Sequence, residues 1–231
     1  MELTARITIT LACVAAAGAL RAQEPQRGHG QAGHHDAQLS HMEHRFEDAE
    51  RYAKSFDDPA RDQWQMPDRV IDALALRPGQ SVADIGAGTG YFTVRLAKSA
   101  AAPKVYAVDI EPSMLEYVRQ RATKEGLSNV VAVQAASEGP NLPEPVDLVL
   151  IVDTYHHIPN RVEYFTELRG SIKPLGRLAI VDFRKGAPGG PPDEFRFTPD
   201  QISGELEDAG FVLHEQHDFL PRQIFLVYQA K

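Results

Sequence analysis

Three glycines at alternate positions, directly after an apolar run, constrain this chain more than any other feature. In Val82-Ala83-Asp84-Ile85-Gly86-Ala87-Gly88-Thr89-Gly90-Tyr91-Phe92 a short buried strand breaks into a glycine turn and then into a helix-compatible stretch. With no Cβ in the way, backbone N–H groups there can approach a ligand closely. Such a turn at a helix N-terminus holds an anionic or polar cofactor. The spacing separates two cofactor classes. A dinucleotide fingerprint, G-x-G-x-x-G, would need a glycine where Tyr91 stands. The chain has Asp84-x-Gly86-x-Gly88-x-Gly90 instead, with a carboxylate on the strand just before the turn. That acid disfavours a pyrophosphate and suits a ligand carrying an ammonium and a sulfonium.

Beyond the turn, strand and helix alternate. Strands are expected at Ser81–Gly86, Lys104–Asp109, Val130–Gln134, Asp147–Val152 and Gly176–Phe183, and helices at Phe92–Lys98, Pro112–Glu125 and Arg161–Ile172. Near-continuous apolar strands between helices imply a parallel sheet covered on both faces. The ending differs. A helix at Pro199–Ala209 precedes strands at Phe211–His217 and Arg222–Gln229, whose short connection forces an antiparallel pair. The expected fold is α/β, a doubly wound, seven-stranded, mostly parallel sheet with an antiparallel C-terminal strand. A ligand belongs off the carboxyl ends of the parallel strands.

The N-terminal region has its own organisation. Residues 1–22 combine a short n-region with one arginine, an apolar run from Ile7 to Leu20, and small residues suited to cleavage after Ala19 or Ala22. The run is too short to span a membrane and reads as a secretory signal peptide. Periplasmic or secreted localisation is expected, or cytoplasmic if translation starts at Met42. The only cysteine, Cys13, falls inside that segment, so the mature chain has no disulfide and no thiolate metal site. Residues 23–43 form a polar tether rich in Gly, Gln and His, read as solvated, because its histidines have no spacing that fixes a tetrahedral metal site. From 44 to 77 the pattern is helical: Phe46, Ala49, Tyr52, Ala53 and Phe56 share a face, Asp57-Asp58-Pro59 breaks the helix, and Pro67 opens the next. Tyr52 and Trp64 are expected mainly as packing residues. With 32 acidic against 24 basic residues and a formal charge of -8, the chain is poorly suited to nucleic acid.

Between Val82 and Phe183 the sequence resembles the class I S-adenosylmethionine (SAM)-dependent methyltransferases. Asp84 to Gly90 is similar to that family's first motif, and Val105-Tyr106-Ala107-Val108-Asp109-Ile110-Glu111-Pro112 to its second strand. The resemblance implies a methyltransferase domain over 78–231, a helical lid over 44–77, SAM as cofactor and methyl transfer to a small-molecule acceptor. It implies cofactor contacts from Asp84, Gly86, Gly88 and Gly90, with Asp109 on the ribose and Ile110 on the adenine. Many members carry an acid at the end of the third strand for the adenine amino group. Here that position is Ala136, so Ser137, Glu138 or backbone groups have to supply the contact.

The fourth strand ends in Asp153-Thr154-Tyr155-His156-His157-Ile158-Pro159. Titratable side chains at such a strand end are where chemistry is expected. Asp153 can hold the methionine ammonium or face the methyl group; Tyr155 and His156 can shape the acceptor pocket or remove a proton. His157 is expected as the buried, hydrogen-bonded histidine of the pair, and His214 and His217 as structural or exposed. Phe183, Arg184 and Lys185 border the pocket, and the Gly/Pro-rich stretch at 186–192 reads as a mobile wall. Two other classes remain: a non-catalytic protein that binds SAM or its demethylated product, and, disfavoured by Tyr91, an NAD-dependent oxidoreductase.

Overall fold

The computed structural model describes residues 48–136 and 139–231. The leader, the tether, Phe46, Ser137 and Glu138 lie outside the described residues. Seven strands, β1 (Ser81–Ile85), β2 (Lys104–Asp109), β3 (Val130–Gln134), β4 (Val146–Val152), β5 (Ile172–Phe183), β6 (Phe211–His217) and β7 (Gln223–Ala230), form one sheet in the order β3-β2-β1-β4-β5-β7-β6. β1 to β5 pair in parallel, and β7 lies antiparallel to both β5 and β6. The chain builds outward from β1 to β3 and then returns to the other side of β1 with β4. That reversal opens a crevice at the carboxyl ends of β1, β2 and β4.

Val82, Ala83 and the run from Leu148 to Ile151 are fully buried, because helices cover both faces of the central strands. Each fully buried Val, Leu or Ile contributes about 1.5–3 kcal/mol relative to exposure. One face is packed by α6 (Arg161–Leu168) and α7 (Pro199–Asp208), through Phe165, Leu168, Ile202 and Leu206. The other is packed by α3 (Pro67–Ala73) and α4 (Tyr91–Lys98), through Val70, Ile71, Phe92 and Leu96. α5 (Pro112–Lys124) sits beside the glycine turn, where Val118 packs on Ala87 and Ala107. α7 opens with a reciprocal capping box between Thr198 and Gln201. None of the described helices is long and apolar enough to cross a membrane.

The expected elements are present with ends shifted by a few residues, except that β5 begins at Ile172, four residues before its expected start. Gly176 explains the irregular opening of that strand. A Cβ there would lie 2.6 Å from Ile172 Cγ2 and 2.8 Å from the Lys173 carbonyl, and the β4–β5 register shifts at this point.

Before the sheet, α1 (Ala49–Phe56) and α2 (Asp62–Gln65) are joined by a 3₁₀ turn at Pro59–Arg61. Asp57, Asp62 and Gln65 fasten this segment to the domain. Asp57 accepts from Thr89 Oγ1 at 3.1 Å and pairs with Arg121 at 2.8 Å. Asp62 accepts from the Tyr91 hydroxyl and pairs with Arg95 at 2.9 Å. Gln65, fully buried, donates to Gln223 Oε1 of β7 at 2.9 Å. The helical segment therefore lies across the carboxyl ends of the sheet.

Candidate active site

A cavity of about 760 Å³ occupies the crevice, floored by the glycine turn and the ends of β1, β2 and β4, and roofed by Phe56, Arg61 and Trp64. The turn is locked into a shape only glycine tolerates. Gly86 has φ +73°, and a Cβ on it would sit inside the Thr154 side chain. Gly88 has φ +53° and faces Phe56, whose ring would lie 3.4 Å from any Cβ there.

Two carboxylates stand in the floor. Asp84 is 3% exposed and accepts from Thr93 Oγ1 at 2.6 Å. Burial pushes its pKa up to about 6, against the lowering by that hydrogen bond, and the nearby Asp109 adds to the rise. A bound cation would relieve that cost. Asp109 accepts backbone N–H bonds from Gly88 at 2.8 Å and Glu111 at 2.9 Å, so it ties the end of β2 to the glycine turn. Burial raises its pKa too, although those N–H bonds oppose the rise. Next to it Ile110, on the cavity wall, is 54% exposed, an apolar surface for a flat base to cover. Ala135 and Ala136 complete this end of the cavity.

The opposite wall is built by the loop after β4 and by the end of β5. Asp153 turns the chain in a left-handed conformation, φ +51°, that a non-glycine residue adopts only under constraint. Its Oδ2 pairs with Arg61 at 3.2 Å and its Oδ1 accepts from Gln223 Nε2 at 2.5 Å. Burial raises the Asp153 pKa and the Arg61 charge opposes the rise. Asp153 thus lies on the cavity wall, but its carboxylate serves to anchor the roof.

His156, 7% exposed, lines the cavity and places Nδ1 2.9 Å from Asp182 Oδ2 and 3.0 Å from Oδ1. Its own backbone N–H reaches the same carboxylate at 3.2 Å, and the Phe183 N–H donates to it at 2.7 Å. Burial disfavours the imidazolium, yet the charge and hydrogen bond of Asp182, with the charge of Asp153, outweigh it and raise the His156 pKa. With the proton held at Nδ1 by the carboxylate, the basic lone pair belongs to Nε2.

The structure corrects several expectations. Tyr155 is fully buried and away from the cavity: its ring stacks on Phe165 at 5.5 Å and its hydroxyl bonds Glu205. The reason is local. Residues 155–157 form a 3₁₀ turn, and three residues per turn send Tyr155 and His156 in different directions. The histidine pair is also reversed, His156 being the buried partner and His157 the more exposed one. Trp64 lines the cavity, 5.4 Å from Phe183, rather than filling the core. The Gly/Pro-rich wall is pinned, because the buried Arg196 guanidinium donates to the carbonyls of Arg184, Ala187, Gly189 and Pro191. Arg184 is likewise turned away, donating to the carbonyls of Leu220 and Gln223, and Lys185 is exposed. His214 and His217 lie on β6, away from the cavity. Arg61, Arg196 and Gln223 had no sequence signal, since each works through partners brought in by folding.

Residues 76–213 match the Methyltransferase domain family, more than half of the chain. This protein belongs to that family. Its fold is that of the SAM-dependent methyltransferases. A SAM-dependent methyltransferase from Aquifex aeolicus superposes with a TM-score of 0.73 at 28% identity, covering 80% of this chain and 99% of that one. The 27-O-demethylrifamycin SV methyltransferase of Amycolatopsis mediterranei is 31% identical over 122 residues, 52% of this chain and 44% of its own. The ubiquinone/menaquinone biosynthesis C-methyltransferase of Cupriavidus taiwanensis is 31% identical over 123 residues, 53% and 50% of the two chains. The chain thus spans about half the length of these curated relatives. The site fits SAM: a buried acid for the ammonium in Asp84, an acid beside an exposed apolar surface for ribose and adenine, and a turn whose close approach a Cβ would block. Among the described residues no group of three or more His, Cys, Asp and Glu could hold a metal ion.

Proposed function

We propose that this protein transfers a methyl group from SAM to a small-molecule acceptor, with His156 as general base and Asp182 as its orienting partner. The observation that carries this reading is the His156–Asp182 pair on the wall opposite the glycine turn, within one cavity. SAM supplies the methyl group on a sulfonium, so that the carbon–sulfur bond breaks with its electrons left on sulfur as the acceptor atom gains the carbon. The chain's part is to align and exclude water. Asp84 holds the ammonium end, Gly86, Gly88 and Gly90 give the close backbone approach, and Asp109, Ile110 and Ala136 hold the nucleoside end. Arg61, tied to Asp153, closes the roof. Nε2 of His156 takes the acceptor proton.

The net charge of -8 supports an acceptor other than nucleic acid. The apolar leader supports export, with loss of the first 19 or 22 residues in a Gram-negative host. Intact-mass measurement of the natively expressed protein tests that, and a mass starting at Met42 would argue for a cytosolic enzyme. The test of the chemistry is His156→Gln, which keeps size and hydrogen bonding but not basicity near neutral pH. Methyl transfer should fall about 100-fold or more while SAM affinity stays within a few-fold. A loss confined to acceptor KM would reduce His156 to a pocket wall.

A further inference from the structure

The acceptor half of the cavity is built for a particular chemical class, an inference that rests on the methyl-transfer reading above. Its walls are rings and proline: Trp64 against Phe183, Tyr164, Ile158, and the Pro191–Pro192 segment. The wall is closely fitted. Gly190 lies flat on Phe183, so near that a Cβ would stand 2.7 Å from ring carbons. Arg196 holds the backbone of that segment from behind through carbonyls on both sides of Gly190. Burial pushes the phenol of the half-buried Tyr164 up to about 12.

The charges on this side are already engaged. Arg61 is the only Lys or Arg among the described lining residues, and it is bound to Asp153, to Gln65 Oε1 at 3.0 Å and to the Phe56 carbonyl at 2.9 Å. An acceptor carboxylate or phosphate at this end would meet no Lys or Arg among the described lining residues that is not already paired, and would lie beside the Asp153 carboxylate. An ammonium fares no better at the acceptor end, where Asp153 is held by Arg61 and Gln223, and Asp182 by His156 and the Phe183 N–H. Burying either ion unpaired is costly. What remains favourable is a neutral body that packs on aromatic faces and presents one proton to the imidazole.

We propose that the acceptor is a neutral, ring-bearing small molecule with a weakly acidic hydroxyl, clamped along the Trp64–Phe183 wall with that hydroxyl toward His156. The new bond is then oxygen to methyl carbon, the methyl–sulfur electron pair stays on sulfur, and the hydroxyl proton goes to Nε2 of His156. A phenol is acidic enough for an imidazole to assist late in the transfer, whereas an aliphatic alcohol is not.

Trp64 is the single tryptophan of the chain, so its fluorescence reports on this wall without needing turnover. The test loads the full chain with S-adenosylhomocysteine, checks that loading by calorimetry, and then titrates three probes of one shape: para-tert-butylphenol, para-tert-butylbenzoate and para-tert-butylbenzylamine. Excitation is set beyond the tyrosine and phenol bands. The phenol should perturb Trp64 saturably with a Kd at least about tenfold below those of the two ions. Phe183→Ala should weaken the phenol about tenfold while S-adenosylhomocysteine binds within about twofold. With tritiated methyl on SAM, label should pass to the phenol and not to the ions. Equal or tighter binding of benzoate or amine, or no Trp64 response to any probe in the loaded protein, overturns the acceptor class alone. Failure of S-adenosylhomocysteine itself to bind overturns the methyl-transfer reading beneath it.

Discussion

Replacing Asp182 by Asn removes one charge while keeping the shape of the pair with His156. The two side chains are 2.9 Å apart at closest approach, and their side chains are 4% and 7% exposed. At an effective dielectric of about 20, opposite charges about 4 Å apart attract by about 4 kcal/mol. Charged hydrogen bonds measured by mutation contribute about 1.5–3 kcal/mol. The imidazolium therefore loses about 2–4 kcal/mol, and the His156 pKa falls accordingly. If the proton is about half transferred in the transition state, half of that energy reaches the barrier. The expected fall in kcat is then about fivefold to thirtyfold. Titration of the His156 ring protons by NMR gives the first number, and the acidic limb of the pH–rate profile should move down by the same amount. Asp182 also accepts the backbone N–H groups of His156 and Phe183, so a lower Tm accompanies either outcome. An unchanged His156 titration midpoint, or a normal kcat with only the Tm reduced, would refute the argument and leave Asp182 a purely structural acceptor.

Asp84, with a pKa of about 6, should make SAM binding pH-dependent: affinity for the cationic ligand falls about tenfold per unit below pH 6, and Asp84→Asn removes that slope, as calorimetry at several pH values would show. The same shift has a stability consequence. A raised carboxyl pKa favours the folded state below the unfolded value near 3.8, so the ligand-free protein should lose about 3 kcal/mol from this group as pH rises through 6, read by urea unfolding. Asp109→Ala should weaken SAM by about 1–3 kcal/mol, and should lower Tm as well because the Gly88 and Glu111 N–H groups lose their acceptor. Gly86→Ala should be more damaging than Gly88→Ala, since its Cβ would overlap Thr154 whereas Gly88 meets only ordinary contact with Phe56; comparative Tm values decide this.

The alternating apolar strands, the glycine turn and the short final connection carried the fold, because each reports a local preference or a chain-length limit. Asp84, Asp109 and Ile110 were legible for the same reason: a strand end places its last residues at the crevice whatever the rest of the chain does. The loop after β4 was only half legible. Its sequence marks it as chemical, but a 3₁₀ turn and an alternating-strand extension send Tyr155 and His156 to different places, and only the structure distinguishes them. It sends Tyr155 to Glu205 and His156 to Asp182, 50 and 26 residues onward. The Gly/Pro-rich wall likewise looked mobile because composition reports what a backbone is free to do. Arg196 removes that freedom through hydrogen bonds to carbonyls, which have no sequence signature. The roof follows the same rule. Residues 44–77 read as a helical region and the resemblance implied a lid, but the closure over the cavity depends on Asp57, Arg61, Asp62 and Gln65 meeting partners roughly 30 to 160 residues away in the sequence. Local physics therefore determined where the crevice lies, and long-range contacts formed only on folding decided what faces it.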